Sequence, residues 1–311
     1  MIRYFDAHCD TITRTADAGL SMYENDMHIS FSKLKRFKSY AGIFAIWQDD
    51  TKTPEAAYDG FFKYYDYWIS ETKKHSDIIT FCKSRADYES AKREGKIAAF
   101  LSIEGGLPLK GDAHNLDKFY EAGVRLMTLT WNRYNGIADG ITEQTGRGLT
   151  DFGREVVARM GSLNMLIDVS HLSVRGFYDV FEAHRGIVVA SHSNSIAECS
   201  HRRNLTDEQF GLLKASGGGC GINLYADFIS DRFEAHISDV VRHIEHFMAL
   251  GGEDSLFIGA DFDGIERTVK GLPDVVHIEN LYEELLRLNY PEKTVKKLFY
   301  DNLERIMLTV L

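Results

Sequence analysis

His8-Cys9-Asp10 sets an imidazole and a carboxylate two residues apart, directly after a short apolar run. In extended backbone, positions i and i+2 share one side, so this pair can hold one metal ion together. Glu104 ends the apolar stretch IAAFLSI and is followed by Gly105-Gly106. A carboxylate there is costly to bury without a partner, and its two oxygens can bridge two cations. His171, in LIDVSH, and His192, in VVASHS, repeat one pattern: an apolar stretch, a serine, then a histidine. Neutral imidazole together with carboxylate suits zinc or a similar borderline ion. His8, Asp10, Glu104, His171 and His192 are too many donors for one tetrahedral site but suit two ions that share a bridge.

Asp261-Phe262-Asp263-Gly264 follows the apolar run SLFIGA. Two aspartates beside cations can divide labour, one as proton carrier and one as brace. Asp-Gly is a common turn dipeptide, so the turn role falls to Asp263 and leaves Asp261 as the chemical candidate. In His201-Arg202-Arg203-Asn204, an arginine that faces the same site can fork onto a substrate carboxylate. His28, His75, His114, His184, His201, His236, His243 and His246 fall in helices or outer loops, with His243 and His246 expected to be solvated, and His277 carries no clear signal.

The elements that must position these residues show a rhythm. Short, mostly apolar runs cover Ile2–Asp6, Ala41–Trp47, Ile97–Ile103, Val124–Thr130, Met165–Val169, Ile187–Ala190, Gly219–Leu224 and Leu256–Ala260. Continuous apolarity over so few residues fits strands buried on both faces, as in a parallel sheet. Helical segments separate them. Asp231–Leu250 carries one apolar stripe before Gly251-Gly252, Thr206 to Gln209 has the capping-box pattern, and Pro54 opens a Tyr- and Phe-rich helix reaching about His75. Eight alternating units predict a (β/α)8 TIM barrel, with an open doubly wound sheet as the fallback. Extra C-terminal helices, about 278–288 and 292–309, are expected to close the outer layer. The strand ends then carry His8 and Asp10, Glu104, Trp131, His171, His192, Tyr225, and Asp261 with Asp263. In a barrel these ends converge on one face.

The chain has 311 residues, and no linker-like segment divides it, so residues 1–311 read as a single domain. Its 36 Lys+Arg against 46 Asp+Glu give a net charge of −10, which disfavours nucleic acid or an anionic membrane surface as partner. No stretch is long and apolar enough to span a bilayer, and the first residues carry no secretory pattern. Cys9, Cys82, Cys199 and Cys220 are scattered without a CxxC pair, which fits free thiols in a reducing cytoplasm.

Taken together, DAHCDT, SIEGG, LMTLTWN, GLTDFGREVVARM, DVSHLS, SHSNS with SHRRN, GINLYADFI and GADFDG resemble, in order and spacing, the membrane (renal) dipeptidase family, zinc peptidases of the amidohydrolase superfamily. The resemblance runs from about residue 4 to about residue 265. It implies a metallohydrolase barrel with two zinc ions, one on His8 and Asp10, the other on His171 and His192, and Glu104 bridging them. It further implies that a metal-bridging hydroxide attacks the peptide bond of a dipeptide. Asp261 matches the aspartate that passes a proton to the leaving amine, and Arg203 matches the arginine that anchors the substrate carboxylate. The resemblance is also compatible with a homodimer.

One position departs from the family. Members with well-described dipeptidase activity carry a histidine where this chain has Trp131, in TLTW. Indole donates one hydrogen bond and cannot titrate. Either Asn132, Tyr134 or the metal takes over its contact with the substrate carbonyl, or the substrate differs. Trp131, Asn132 and Tyr225 are therefore the further substrate-contact candidates. A di-metal hydrolase of another small amide or ester, such as an N-acyl amino acid or a lactone, is the alternative reading. A non-catalytic barrel that retains metal is the reading from another class.

Overall fold

The computed structural model describes residues 1–311. All eight apolar runs pair side by side as strands, and a ninth short strand joins them. In chain order these are β1 (Arg3–Cys9), β2 (Ser39–Trp47), β3 (Ile79–Phe81), β4 (Ile97–Glu104), β5 (Val124–Thr128), β6 (Leu166–Asp168), β7 (Val188–Ser193), β8 (Gly219–Ile222) and β9 (Leu256–Ile258). The sheet runs β2-β1-β9-β8-β7-β6-β5-β4-β3, and β2 also pairs with β4. That pairing closes an eight-stranded parallel barrel, as expected, with helices between the strands. The open doubly wound sheet is thereby excluded. β3 lies outside the ring, against residues 97–99 at the start of β4. Three residues, ITF, are too few to show a pattern in the sequence.

Two apolar layers hold the barrel. Tyr4, Phe44, Ile46, Leu101, Ile103, Met127, Ile167 and Ile222 face outward and pack on the surrounding helices. Phe5, Ala7, Ile43, Phe100, Leu126, Leu166, Val189 and Phe257 fill the interior. The segment after residue 278 divides between them. The helix Ile278–Arg287 packs in the outer layer through Ile278, Leu281 and Leu285. The final helix, Asn302–Met307, instead sends Leu303, Ile306 and Met307 into the inner cluster with Phe5 and Phe100. It plugs the barrel floor rather than closing the outer layer. The apolar spacing of a helix states that one side is buried, not which layer receives it.

The helix Pro54–Lys74 starts where Pro54 and the Thr53 cap place it, and the Thr206–Gln209 capping box forms. The helix expected over 231–250 is shorter, Ile237–Ala249. Its start is delayed because Asp239 accepts from the His236 backbone N–H and pairs with Arg232, which fixes residues 231–236 as a loop.

Candidate metal centre

Two bulges aim the first histidines. Along β1, Ala7 faces the barrel interior whereas Cys9, two residues later, faces the outer core. The alternation breaks because the β1–β2 register shifts between Asp6 and Cys9. A bulge of this kind redirects side chains, here His8 into the barrel mouth. Asp10 is not in extended backbone, as the i, i+2 argument assumed, but stands at the N-cap of the helix Thr11–Asp17 with ψ of 17°. The two side chains still meet, with His8 Nε2 3.4 Å from Asp10 Oδ2. β7 repeats the device, since its register with β8 shifts between Ala190 and Ser193, around His192.

Glu104, the last residue of β4, lies between these groups. Its Oε2 is 3.5 Å from His8 Nε2, while its Oε1 is 3.0 Å from His171 Nε2 and 3.7 Å from His192 Nε2. The Nε2 atoms of His171 and His192 are 2.9 Å apart, and Asp261 Oδ1 is 4.0 Å from His8 Nε2. The five expected ligands and Asp261 therefore form one buried cluster drawn from β1, β4, β7 and the ends of β6 and β9. His171 and Asp261 hold positive φ values of 66° and 61°, a left-handed backbone rare outside glycine and concentrated at functional sites.

The donor set suits divalent cations. His8 Nδ1 and Nε2 and Asp10 Oδ1 are buried without a hydrogen-bond partner. Two overlapping groups, His8 with Glu104 and His192, and His8 with Asp10 and Asp261, have all their donor atoms within 4.8 Å of one another. Uncompensated, such crowding of carboxylates and imidazoles in a buried site is unfavourable.

The electrostatics express this strain. Burial lifts the Asp261 carboxyl to about 7, with Asp10 and Glu104 reinforcing the shift against His8. Burial and the Glu104 charge lift Asp10 to about 6. Burial opposes a charge on His8, but Glu104 and Asp10 outweigh it and hold His8 well above the ordinary imidazole value. Burial also opposes the charge on Glu104, yet His8 and His171 keep it well below the usual carboxylate range. His171 falls to about 4 through burial and the nearby Arg203 charge, and His192 falls well below its ordinary value through burial and His8.

Supporting residues escaped the sequence reading. Asp168, inside an otherwise apolar run, accepts from Ser170 N, Ser191 N, Ser191 Oγ and Thr128 Oγ1. Asn223 Nδ2 holds Asp261 Oδ2 at 2.8 Å. An aspartate in a strand is the one signal that was visible. His243 is fully buried, bonded to Ser195 N just after β7 and to Ile229 O at the end of the helix Ala226–Ile229, and so is not solvated as expected. Asp263 is the brace: Thr11 Oγ1 and the His28 backbone N–H donate to its carboxylate, and His28 Nδ1 accepts from its backbone N–H.

A cavity of about 520 Å³ opens over the cluster and is lined by Trp131, Asn132, Arg203 and Tyr225 among others. Trp131 packs edge-on against Trp47, ring centres 5.0 Å apart. Asn132 Oδ1 lies 3.0 Å from His171 Nδ1, so this side chain touches a ligand candidate directly. Tyr225 meets Phe228, which lies under the Arg203 guanidinium at 5.4 Å. Arg203 is buried, donates to the His192 carbonyl, and has no carboxylate within ion-pair distance. Tyr134 is exposed and outside the cavity lining.

Residues 1–310 match the model of the membrane dipeptidase family, peptidase family M19. The chain belongs to that family. It is accordingly a metal-dependent dipeptidase, the enzyme class expected from the sequence. A Klebsiella pneumoniae protein of the pqqA 5′ region is 34% identical over 243 residues, covering 75% of this chain and 89% of that protein. The solved structure of dipeptidase AC, a family M19 metallopeptidase, superposes with a TM-score of 0.92 at 25% identity over 98% of both chains. A Rhodobacter sphaeroides metallopeptidase, solved with a phosphinate mimic of the dipeptide L-Ala-D-Ala, gives the same TM-score at 23% identity, over 100% of this chain and 99% of that one. At that identity the likeness speaks for the fold.

Proposed function

We propose that this metallo-dipeptidase is a zinc enzyme with a binuclear site, His8 and Asp10 holding one ion, His171 and His192 the other, and Glu104 bridging them. The observation that carries the reading is the split of Glu104, with one oxygen turned toward His8 and the other toward His171 and His192. Imidazole and carboxylate in this ratio suit zinc. Two bound ions supply Lewis acidity for the peptide carbonyl and ready a water molecule for attack near neutral pH.

The chain's own residues do the rest. Asn223 fixes one oxygen of Asp261 and leaves Oδ1 toward the cluster. Asp261 there takes the proton of the attacking water and passes it to the leaving amine. Arg203, buried and without an internal acid, meets the C-terminal carboxylate of the dipeptide. Trp131, with Trp47, Tyr225 and Phe228, supplies the aromatic wall of the cavity.

The substrate is a small dipeptide, with neither nucleic acid nor membrane as partner, and no helix is long and apolar enough to cross a membrane. Four buried, unbonded cysteines support a cytoplasmic location. A homodimer, with which the resemblance is compatible, belongs to the same proposal and is tested by sedimentation. Trp131, in place of the family histidine, favours as second reading a different small amide or ester. The deciding experiment incubates the zinc-loaded protein with L-L and L-D dipeptides, N-acyl amino acids and lactones. Metal-dependent release of amino acids from dipeptides is expected; turnover of only the other classes overturns the dipeptide reading.

A further inference from the structure

We infer that Asp168 and Ser191 are positioning residues that act through His192, fixing which ring nitrogen of that histidine carries the proton. Asp168 is buried beneath the site, and its two oxygens have separate duties. Oδ1 accepts from the backbone N–H groups of Ser170 and Ser191 at 3.0 and 2.8 Å. Oδ2 accepts from the hydroxyls of Thr128 and Ser191 at 2.7 and 2.5 Å. Ser191 Oγ also lies 2.7 Å from His192 Nδ1. A hydroxyl has one proton. With that proton directed to Asp168, Ser191 Oγ can only accept from His192, so the imidazole proton sits on Nδ1. Nε2 is left as a lone pair facing Glu104 and His171.

The opposite tautomer would place an N–H in the metal site and block ligation. The ligand geometry alone leaves this choice open; the acid two hydrogen bonds removed from the ring makes it. A ligating histidine commonly takes its orientation from a partner on its other nitrogen, and loss of such a partner typically weakens metal binding about 10–100-fold. Here the partner is a hydroxyl whose own direction is set by a buried carboxylate.

The inference rests on the zinc-site reading, and the test separates the two. Asp168→Asn keeps a carbonyl oxygen for the two backbone donors and puts an NH₂ where Oδ2 was. That NH₂ donates to Ser191 Oγ, turns the hydroxyl proton toward His192 Nδ1 and moves the imidazole proton to Nε2. In calorimetric titration of the full chain with Zn²⁺, one of the two binding events is expected to weaken about 10–100-fold. In ¹⁵N NMR of the zinc-free parent, His192 is expected to show a protonated Nδ1. Ser191→Ala, which removes the acceptor without reversing the tautomer, is expected to weaken the same event less than Asp168→Asn. Parental zinc affinity in a folded Asp168→Asn chain, or an unprotonated Nδ1 in the parent, overturns the inference. If Asp168→Asn fails to fold, the parent NMR and Ser191→Ala decide, and parental affinity in Ser191→Ala overturns it. A parent chain that binds no zinc overturns the site reading itself.

Discussion

The facing nitrogens of His171 and His192 stand 2.9 Å apart, with Glu104 Oε1 3.0 Å from the first and 3.7 Å from the second. Asn132 engages His171 from behind and Ser191 engages His192 from behind. Both rings therefore turn their remaining nitrogen to the same small volume, an arrangement that a shared cation resolves. His171→Ala is expected to lower zinc from about two ions per chain to about one or none after gentle purification. Metal analysis checks this, and unchanged content would remove His171 from the ligand set.

Zinc binding is expected to displace protons. Without metal, Asp10 titrates at about 6 and His8 above its ordinary value, and both must be deprotonated to ligate. Affinity should therefore rise with pH through this range, roughly tenfold per pH unit for each proton displaced. Calorimetry near pH 6 in two buffers of different ionisation enthalpy reads the proton count. A pH-independent affinity between about pH 6 and about pH 8 contradicts the ligand assignment of this pair.

Gly264 is more than a turn residue. A Cβ there would run into Asp10 Oδ2 and Asp261 Oδ1, whereas its backbone is not in the left-handed region. Gly264→Ala is thus expected to leave folding nearly intact while displacing both carboxylates. A shift of about 1 Å in such groups costs on the order of 100-fold in rate. Steady-state kinetics beside a thermal melt test the split; a loss of stability matching the loss of activity would refute it.

Arg203→Ala is expected to raise KM for substrates with a free C-terminal carboxylate. A hydrogen bond to a charged group contributes about 1.5–3 kcal/mol, or roughly 10- to 150-fold. An equal effect on substrates amidated at that end would show that Arg203 acts otherwise.

Leu303 sits at 1% exposure in the inner cluster of the barrel. Leu303→Ala is expected to destabilise the fold by about 2–5 kcal/mol without changing zinc affinity, as read by denaturant unfolding with the metal site chelated. A cost under about 1 kcal/mol would mean that the floor collapses around the gap.

The residues show why some features were legible and others were not. β1, β2, β4 to β9 and the candidates His8, Asp10, Glu104, His171, His192 and Asp261 could be read because an apolar run ending in a polar group is a local pattern. β3 is too short for such a pattern. The bulges that turn His8 and His192 inward arise from register with neighbouring strands, which no single segment encodes. Asp168 and Asn223 act through partners far along the chain, and His243 is held by Ser195 and Ile229, which lie outside its own helix.

The final helix has one more consequence. With Leu303, Ile306 and Met307 packed into the inner cluster, the barrel is stopped from below, on the side away from the cavity that Trp131 and Tyr225 help to line. Neither half of a cleaved substrate can leave through that floor. A polypeptide cannot be threaded through the barrel, so the blind end sets a limit on ligand length that no residue in the reacting cluster needs to enforce.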